Sequence, residues 1–155
     1  MDTTACTILL VDDEAANLDL LELVLRPRGY GRLVRVADAR EAVAAFEAAA
    51  PDLVLLDLHM PHRDGLAVLA ELQARVPEGD FLPVLVLTAD ATPAARERAL
   101  AAGAHDFVTK PFDRLEVLLR ARNLLRTRLL HRAQRDARGA AELAAVQGRL
   151  LADEW

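Results

Sequence analysis

The fold is decided by residues 53–57, LVLLD, followed by residues 58–61, LHMP. This apolar run is short and lies between Pro51 and Pro61, which indicates a strand buried on both faces of a sheet. The run ends in a carboxylate, Asp57. Ligands of an open α/β sheet bind at the carboxyl ends of its strands, so we interpret Asp57 as a candidate site residue.

Strand patterns and helix patterns alternate five times along the chain. The strand patterns cover residues 8–11, 33–36, 52–56, 83–87 and 105–109, and the helix patterns cover 17–25, 39–50, 66–76, 93–102 and the chain from 113 onward. This alternation predicts a parallel sheet covered by helices on both faces. The first, third and fourth strands are the most apolar and should be central. We therefore predict a flavodoxin-like, doubly wound α/β fold with strand order 2-1-3-4-5.

The composition is that of a globular chain without a general signal for nucleic acid or membrane binding. The 155 residues are 53% hydrophobic and carry a net charge of −5. The single cysteine, Cys6, excludes an intrachain disulfide and fits a reducing compartment. No signal peptide precedes the first strand, and no apolar run could span a bilayer. We expect a cytoplasmic protein with no membrane contact.

Polar residues follow four of the five strands. Asp12 and Asp13 follow the first strand, Asp57 ends the third, Thr88 ends the fourth and Lys110 follows the fifth. Clustered carboxylates repel each other unless a cation neutralises them, and such oxygen ligands suit Mg²⁺ or Mn²⁺. Lys110 is the only lysine of the chain. An ammonium and a hydroxyl facing this site are what a phosphoryl group needs.

Each of these residues has a plainer interpretation when it is taken alone. An acidic pair after a strand commonly caps the next helix. A threonine at a strand end reflects β-propensity, and Asp57 could simply open a turn. Only their meeting at one edge of the sheet favours a phosphoryl site.

Separated motifs identify a resemblance to a known family. They are VDDE at 11–14, LDLHMPHRDG at 56–65, LTA at 87–89, GAHDF at 103–107 and TKPF at 109–112. In this order and spacing they resemble the receiver domain of two-component response regulators, over roughly residues 6–126.

The resemblance implies a phosphorylation chemistry centred on Asp57. Asp57 would accept a phosphoryl group from a sensor histidine kinase or a phosphotransfer protein. Asp13 and Asp57 would bind Mg²⁺ directly, Asp12 would act through water, and His59 would offer its backbone carbonyl. Catalytic roles also fall to Thr88 and Lys110, as ligands of the phosphoryl oxygens, and the peptide bond after Lys110 would be cis.

The resemblance also implies a switch. Thr88 would move toward the phosphoryl group, and Phe107 could fill the space that it leaves; a plain core role for Phe107 is the alternative. Phenylalanine has no hydroxyl, so packing alone would hold an inward state. The switched surface would be the fourth helix, fifth strand and fifth helix. His59 and Asp90 would flank the hydrolytic water and tune the lifetime of the phosphorylated form.

The helical pattern from Asp113 runs far beyond a covering helix. Its apolar stripe is Leu115, Leu118, Leu119, Leu125 and Leu129, and Gly139 could break or kink the helix before residues 140–151. We divide the chain into a receiver domain, 6–126, and a helical extension, 127–155, as a coiled coil or linker. The apolar side chains of this stripe must be buried against their own domain, a downstream domain or a partner chain. We expect a homodimer, through the extension or the switched surface.

The leading hypothesis is a phosphorylation-switched binding module rather than a turnover enzyme. No helix-turn-helix follows residue 126, so direct nucleic-acid binding is not expected. The runner-up is the regulatory N-terminal fragment of a cyclic-dinucleotide-metabolising enzyme, because the tail resembles the linkers of such enzymes. A Mg²⁺-dependent phosphohydrolase would carry a second acid where His59 stands. The complete set of site residues opposes a receiver that is never phosphorylated.

Overall fold

A computed structural model describes residues 2–153, which form a five-stranded parallel sheet with helices on both faces. The strands are β1 (Thr7–Val11), β2 (Arg32–Val36), β3 (Leu53–Asp57), β4 (Val84–Thr88) and β5 (Asp106–Thr109). Their order is β2-β1-β3-β4-β5, and every neighbouring pair is parallel. The flavodoxin-like fold predicted from the alternation of patterns is confirmed.

The helices also follow the predicted order. They are α1 (Ala15–Leu25), α2 (Ala42–Ala49), α3 (Gly65–Ala74), α4 (Pro93–Ala101) and α5 (Arg114–Asp153), with single 3₁₀ turns at Arg26–Arg28 and Ala39–Glu41. α3 ends at Ala74, earlier than the predicted Val76. The residue before a proline disfavours the helical region, and Pro77 follows Val76.

Each face of the sheet buries its own aliphatic core. Leu9, Val11 and Leu56 point to the side covered by α2, α3 and α4, whereas Ile8 and Leu55 point to the side covered by α1 and α5. β1, β3 and β4 are almost fully buried, and β2 is half exposed at one edge. A strand buried on both faces reads as a continuous apolar run, which is why these three strands stood out in the sequence.

Two local features set the loops near the carboxyl ends of the strands. The Thr92 hydroxyl accepts a hydrogen bond from the Ala95 N–H at 3.2 Å and caps α4, with Pro93 in the first turn. A side chain at Gly65 would collide with the backbone of Leu58. The start of α3 therefore packs directly against the segment that leaves β3.

Helix α5 is continuous for 40 residues, from Arg114 to Asp153. The predicted break at Gly139 is wrong, and a kink there stays a prediction. A glycine in a helix interior costs about 1 kcal/mol relative to alanine but does not stop the helix without a left-handed cap, and Gly139 has no positive φ. The proposed boundary at residue 126 stays a prediction, because the helix passes this position without interruption.

The inward face of α5 differs from the predicted leucine stripe. Its buried apolar residues are Val117, Ala121 and Leu125, spaced four residues apart. Leu115 and Leu119 are exposed to 56% and 37%. The stripe was therefore only partly right, because the leucines extend around the helix while the small Ala121 allows close approach to the sheet.

The far side of the sheet, where the strands begin, holds α5 through ion pairs. We call these residues the basal cluster: Asp52, Asp80, Arg128, Arg132 and Arg135. Arg128 is 8% exposed, and its guanidinium donates to Asp80 at 3.0 Å and to the Phe81 carbonyl at 2.6 Å. The predicted extension thus remains attached to its own domain for at least two turns past residue 126.

Beyond the basal cluster, residues 136–153 are exposed on all faces of the helix. Their large apolar side chains are Leu143, Val146, Leu150 and Leu151. None of the helices within residues 2–153 combines the length and the low charge that a membrane crossing requires. The cytoplasmic location stays a prediction.

Candidate functional site

The structure brings the predicted acidic residues together at the carboxyl edge of the sheet. Asp12 and Asp13 directly follow β1, and Asp57 is the last residue of the neighbouring β3. One carboxylate oxygen from each of the three lies within 4.8 Å of the other two. We call these aspartates, together with Lys110, the acidic site.

Lys110 crosses the edge of the sheet to reach two of these aspartates. Its Nζ lies 3.0 Å from Asp12 Oδ2 and 3.4 Å from Asp57 Oδ1. The Lys110 N–H donates to the Thr88 carbonyl at 2.7 Å, and the peptide bond to Pro111 is cis, as predicted. Burial works against the charged ammonium, but its hydrogen bond and ion pair with Asp12, and then those with Asp57, raise the pKa of Lys110.

Asp12, directly after β1, is completely buried. Its Oδ1 accepts a hydrogen bond from the Glu14 N–H at 3.0 Å, at the start of α1. Its Oδ2 accepts from the side-chain amide of Asn17 at 3.2 Å and from Lys110. The sequence analysis missed Asn17, whose only signal was its position one helical turn after the acidic pair.

Asp57 is almost fully buried, with only 3% of the residue exposed. Burial raises its pKa to about 6, and the charge of Asp12 adds to this effect. The His59 N–H, which donates to Oδ1 at 3.1 Å, and Lys110 oppose the shift. Ionised Asp57 is therefore incompletely neutralised by the protein itself.

The donor set of the acidic site fits a hard divalent cation. Three carboxylates face one ammonium within a few ångströms, which leaves a net charge of −2 when all are ionised. Carboxylate oxygens are the ligands that Mg²⁺ prefers, and Mg²⁺ commonly uses few protein ligands and several waters.

Thr88 lies at the adjacent strand end, but its hydroxyl makes other contacts. Oγ1 accepts a hydrogen bond from the Asp90 N–H at 3.1 Å and lies 2.9 Å from Nε2 of His59. The Asp90 carboxylate accepts from the Thr92 N–H at 3.0 Å, which lowers the pKa of Asp90. The predicted residues at and after the strand ends thus lie together at one end of the sheet, with Thr88 and Asp90 beside the aspartates rather than among them.

Phe107 on β5 is 6% exposed and packs in the core under α4. The guanidinium carbon of Arg96 lies 5.2 Å from the centroid of its ring. A cation at this distance is attracted to the ring face, so packing is not the only interaction that holds Phe107 inward. Arg96 was missed because a surface arginine gives no sequence signal of such a contact. The switch role of Phe107 stays a prediction.

Comparison with known proteins now identifies the class. The family model described as the response regulator receiver domain matches residues 8–122. The chain belongs to this family. It is 41% identical over 127 residues to the transcriptional regulatory protein TrcR of Mycobacterium tuberculosis, covering 81% of this chain and 47% of TrcR.

Two further relatives describe the range of the similarity. The DNA-binding response regulator MtrA of M. tuberculosis is 37% identical over 126 residues, which cover 81% of this chain and 53% of MtrA. The solved receiver domain of NtrX from Brucella abortus has a TM-score of 0.69 and 36% identity, over 77% of this chain and 98% of that domain. The chain spans about half the length of the curated relatives that it matches. These relatives are named as transcriptional regulators or response regulators, which does not favour the cyclic-dinucleotide alternative.

Proposed function

We propose that the protein accepts a phosphoryl group on Asp57 from the phosphohistidine of a sensor kinase or a phosphotransfer protein. An oxygen of Asp57 attacks phosphorus, the P–N bond breaks, and the leaving imidazole is protonated. The observation that carries this proposal is the position of the Asp57 carboxylate between two further aspartates and the single lysine of the chain. The phosphoryl group then stays on the protein until hydrolysis, so the chain is a self-modifying switch and not a turnover enzyme.

The residues that would hold Mg²⁺ are Asp13 and Asp57 directly, Asp12 through water and His59 by its backbone carbonyl. When bound, the ion supplies positive charge to the oxygens around phosphorus. Lys110 supplies the second positive charge from the protein, and it is already oriented by Asp12 at 3.0 Å. The protein therefore needs little rearrangement to neutralise an incoming phosphoryl group.

The switch would begin at Thr88. A phosphoryl oxygen on Asp57 accepts a hydrogen bond from its hydroxyl, and this changes how β4 contacts α4. Phe107 and Arg96 stand between β5 and α4 and would transmit the change to the surface formed by α4, β5 and α5. The phosphoryl charge on Asp57 would thus shift the conformation of a surface that binds a partner.

Intact mass spectrometry tests the proposal. Incubation with a small phosphoryl donor and Mg²⁺ should add the mass of one phosphoryl group, and chelation of Mg²⁺ should prevent the gain. Asp57→Asn should abolish it, whereas Asp19→Asn, a change at an exposed aspartate of α1, should not. A mass gain that persists in Asp57→Asn would place the acceptor elsewhere.

Asp90 and His59 are proposed to tune the lifetime of the phosphorylated form. The Asp90 carboxylate accepts from the Thr92 N–H at the start of α4, and the Asp90 N–H and Nε2 of His59 both contact the Thr88 hydroxyl beside Asp57. Asp90→Ala should change the rate at which the phosphoryl mass is lost after the donor is removed. An unchanged rate would show that Asp90 does not control the lifetime of the phosphorylated form.

The exposed end of α5 is proposed to pair with a second copy of the chain. Residues 143, 146 and 150 place three aliphatic side chains at coiled-coil spacing, and each is more than 40% exposed. A chain that ends after Arg138 keeps the basal cluster and should be monomeric by light scattering. Retention of a dimer by this shortened chain would exclude association through the tail.

The output of the whole protein is also a proposal. TrcR and MtrA are named as a transcriptional and a DNA-binding regulator, and this chain spans about half of each. We propose that residues 2–153 bind protein partners rather than nucleic acid directly. The net charge of −5 and the single helix over residues 127–153 support this assignment.

A further inference from the structure

The hydroxyl of Thr88 is held by a side chain whose contact the phosphoryl chemistry does not explain. Thr88 is completely buried at the end of β4, and its Oγ1 lies 2.9 Å from Nε2 of His59. His59 is an exposed residue in the segment that leaves β3. The contact therefore joins the ends of two neighbouring strands through side chains, directly beside Asp57.

The direction of this hydrogen bond follows from counting protons. The Asp90 N–H already donates to Thr88 Oγ1, at 3.1 Å. A hydroxyl carries one proton, and buried donors are nearly always paired. Within residues 2–153, Nε2 of His59 is the only other hydrogen-bond partner of Thr88 Oγ1. The Nδ1–H tautomer of His59 satisfies this requirement, because its Nε2 accepts the hydrogen bond that the Thr88 hydroxyl donates.

We propose that His59 is a positioning residue that restrains the Thr88 hydroxyl in the resting protein, and that a phosphoryl group on Asp57 must displace it. This inference rests on the proposed function. One hydroxyl proton cannot serve two acceptors, so Thr88 exchanges Nε2 for a phosphoryl oxygen. The lost hydrogen bond opposes the exchange and lowers the affinity of the site for a phosphoryl group.

Beryllium trifluoride, an analogue of the phosphoryl group, measures this effect at saturating Mg²⁺. His59→Ala should bind it about three- to tenfold more tightly than the wild type, which is the contribution of one neutral hydrogen bond. Because His59 is exposed, this variant should fold normally. His62→Asn, which removes an exposed imidazole from the same segment, should bind with wild-type affinity.

A double-mutant cycle separates this restraint from a direct contact of His59 with the ligand. Thr88→Val removes the hydroxyl, and in this background His59→Ala should leave the Kd for beryllium trifluoride unchanged. Equal tightening in both backgrounds, or no tightening in the wild-type background, would overturn the restraint alone. Failure of the wild-type protein to bind beryllium trifluoride with Mg²⁺ would overturn the phosphoacceptor proposal, and the restraint with it.

Discussion

Each end of the sheet holds a basic side chain between aspartates, but the two clusters have opposite charge balances. The acidic site sets three carboxylates against one ammonium, for a net charge of −2. The basal cluster sets two carboxylates against three guanidinium groups, for a net charge of +1. The first arrangement has an excess of carboxylate charge that fits a cation from solution, whereas in the second the guanidinium groups outnumber the carboxylates.

The pKa values of two aspartates express this difference. Burial raises the pKa of Asp57 to about 6, and Lys110 only partly offsets it. Burial also disfavours the charged form of Asp80, yet the Phe81 N–H and Arg128 outweigh it and lower the pKa of Asp80. A carboxylate with a raised pKa, such as Asp57, is typical of a functional site. The carboxylate of Asp80 is stabilised by its partners and holds α5 in place.

The type of cation matches each task. The planar guanidinium of Arg128 donates to Asp52, Asp80 and the Phe81 carbonyl at once, and so fixes α5 from several directions. The ammonium of Lys110 is a compact charge on a flexible stem, which can follow an incoming anion.

The largest expected effect is the loss of the basal anchor. Arg128→Met should lower the free energy of unfolding by about 3 kcal/mol, because it leaves two partly buried carboxylates without their most buried partner. Urea denaturation measures the change. Arg126→Met, at an exposed position of the same helix, should cost less than about 0.5 kcal/mol. Equal losses in both variants would show that Arg128 is no anchor.

The second comparison replaces one aspartate at each end. The raised pKa of Asp57 means that its contribution to stability is present below its ordinary value near 3.8 and is lost as the pH rises through about 6. In the absence of divalent ions at pH 7.5, Asp57→Asn should therefore stabilise the fold by about 2 kcal/mol. This gain should disappear near pH 4.

Asp80→Asn should have the opposite sign in the same urea experiment. Because the pKa of Asp80 is lowered, its ionised carboxylate stabilises the fold above the ordinary pKa of an aspartate. This contribution is lost as the pH falls through the lowered pKa. The variant should be less stable than the wild type by about 1 kcal/mol at pH 7.5. If both substitutions destabilise the protein, the proposed difference in charge balance is incorrect.

The smallest of these effects is the response to magnesium. At about threefold excess over its Kd, Mg²⁺ should raise the free energy of unfolding by about 0.8 kcal/mol. Asp13→Asn should weaken this gain, and Arg128→Met should retain it although its starting stability is lower. Thermal unfolding with and without a chelator provides the measurement. A gain lost in Arg128→Met and kept in Asp13→Asn would move the ion to the basal cluster.

The comparison also shows why one end could be predicted from the sequence and the other could not. The residues of the acidic site follow apolar strands, so parallel topology alone brings Asp12, Asp57 and Lys110 to one edge. Asp52 and Asp80 stand before strands in turn-rich segments. Aspartate is common in such segments. The neighbouring residues also give no sign that its partner is an arginine on a helix more than 40 residues further along the chain.

The side-chain contacts around the site were beyond sequence analysis for a similar reason. The hydrogen bond from Thr88 to His59 and the position of Arg96 over Phe107 depend on rotamers chosen by packing. The buried face of α5 was predicted only in part, because leucines are the stronger apolar signal, whereas the small Ala121 allows the helix to pack close to the sheet. Patterns predicted the backbone well, and they did not predict which side chains meet across it.

The single lysine allows the proposed switch to be followed by chemical labelling. Lys110 carries the only side-chain primary amine among the 155 residues, so an amine-reactive reagent has a single side-chain target among them. Because the Lys110 side chain is only 18% exposed and its ammonium lies within 3.4 Å of two carboxylates, its acylation should be slow at neutral pH. The kinetics of labelling would then report directly on whether the carboxylates have released that amine, without any engineered probe.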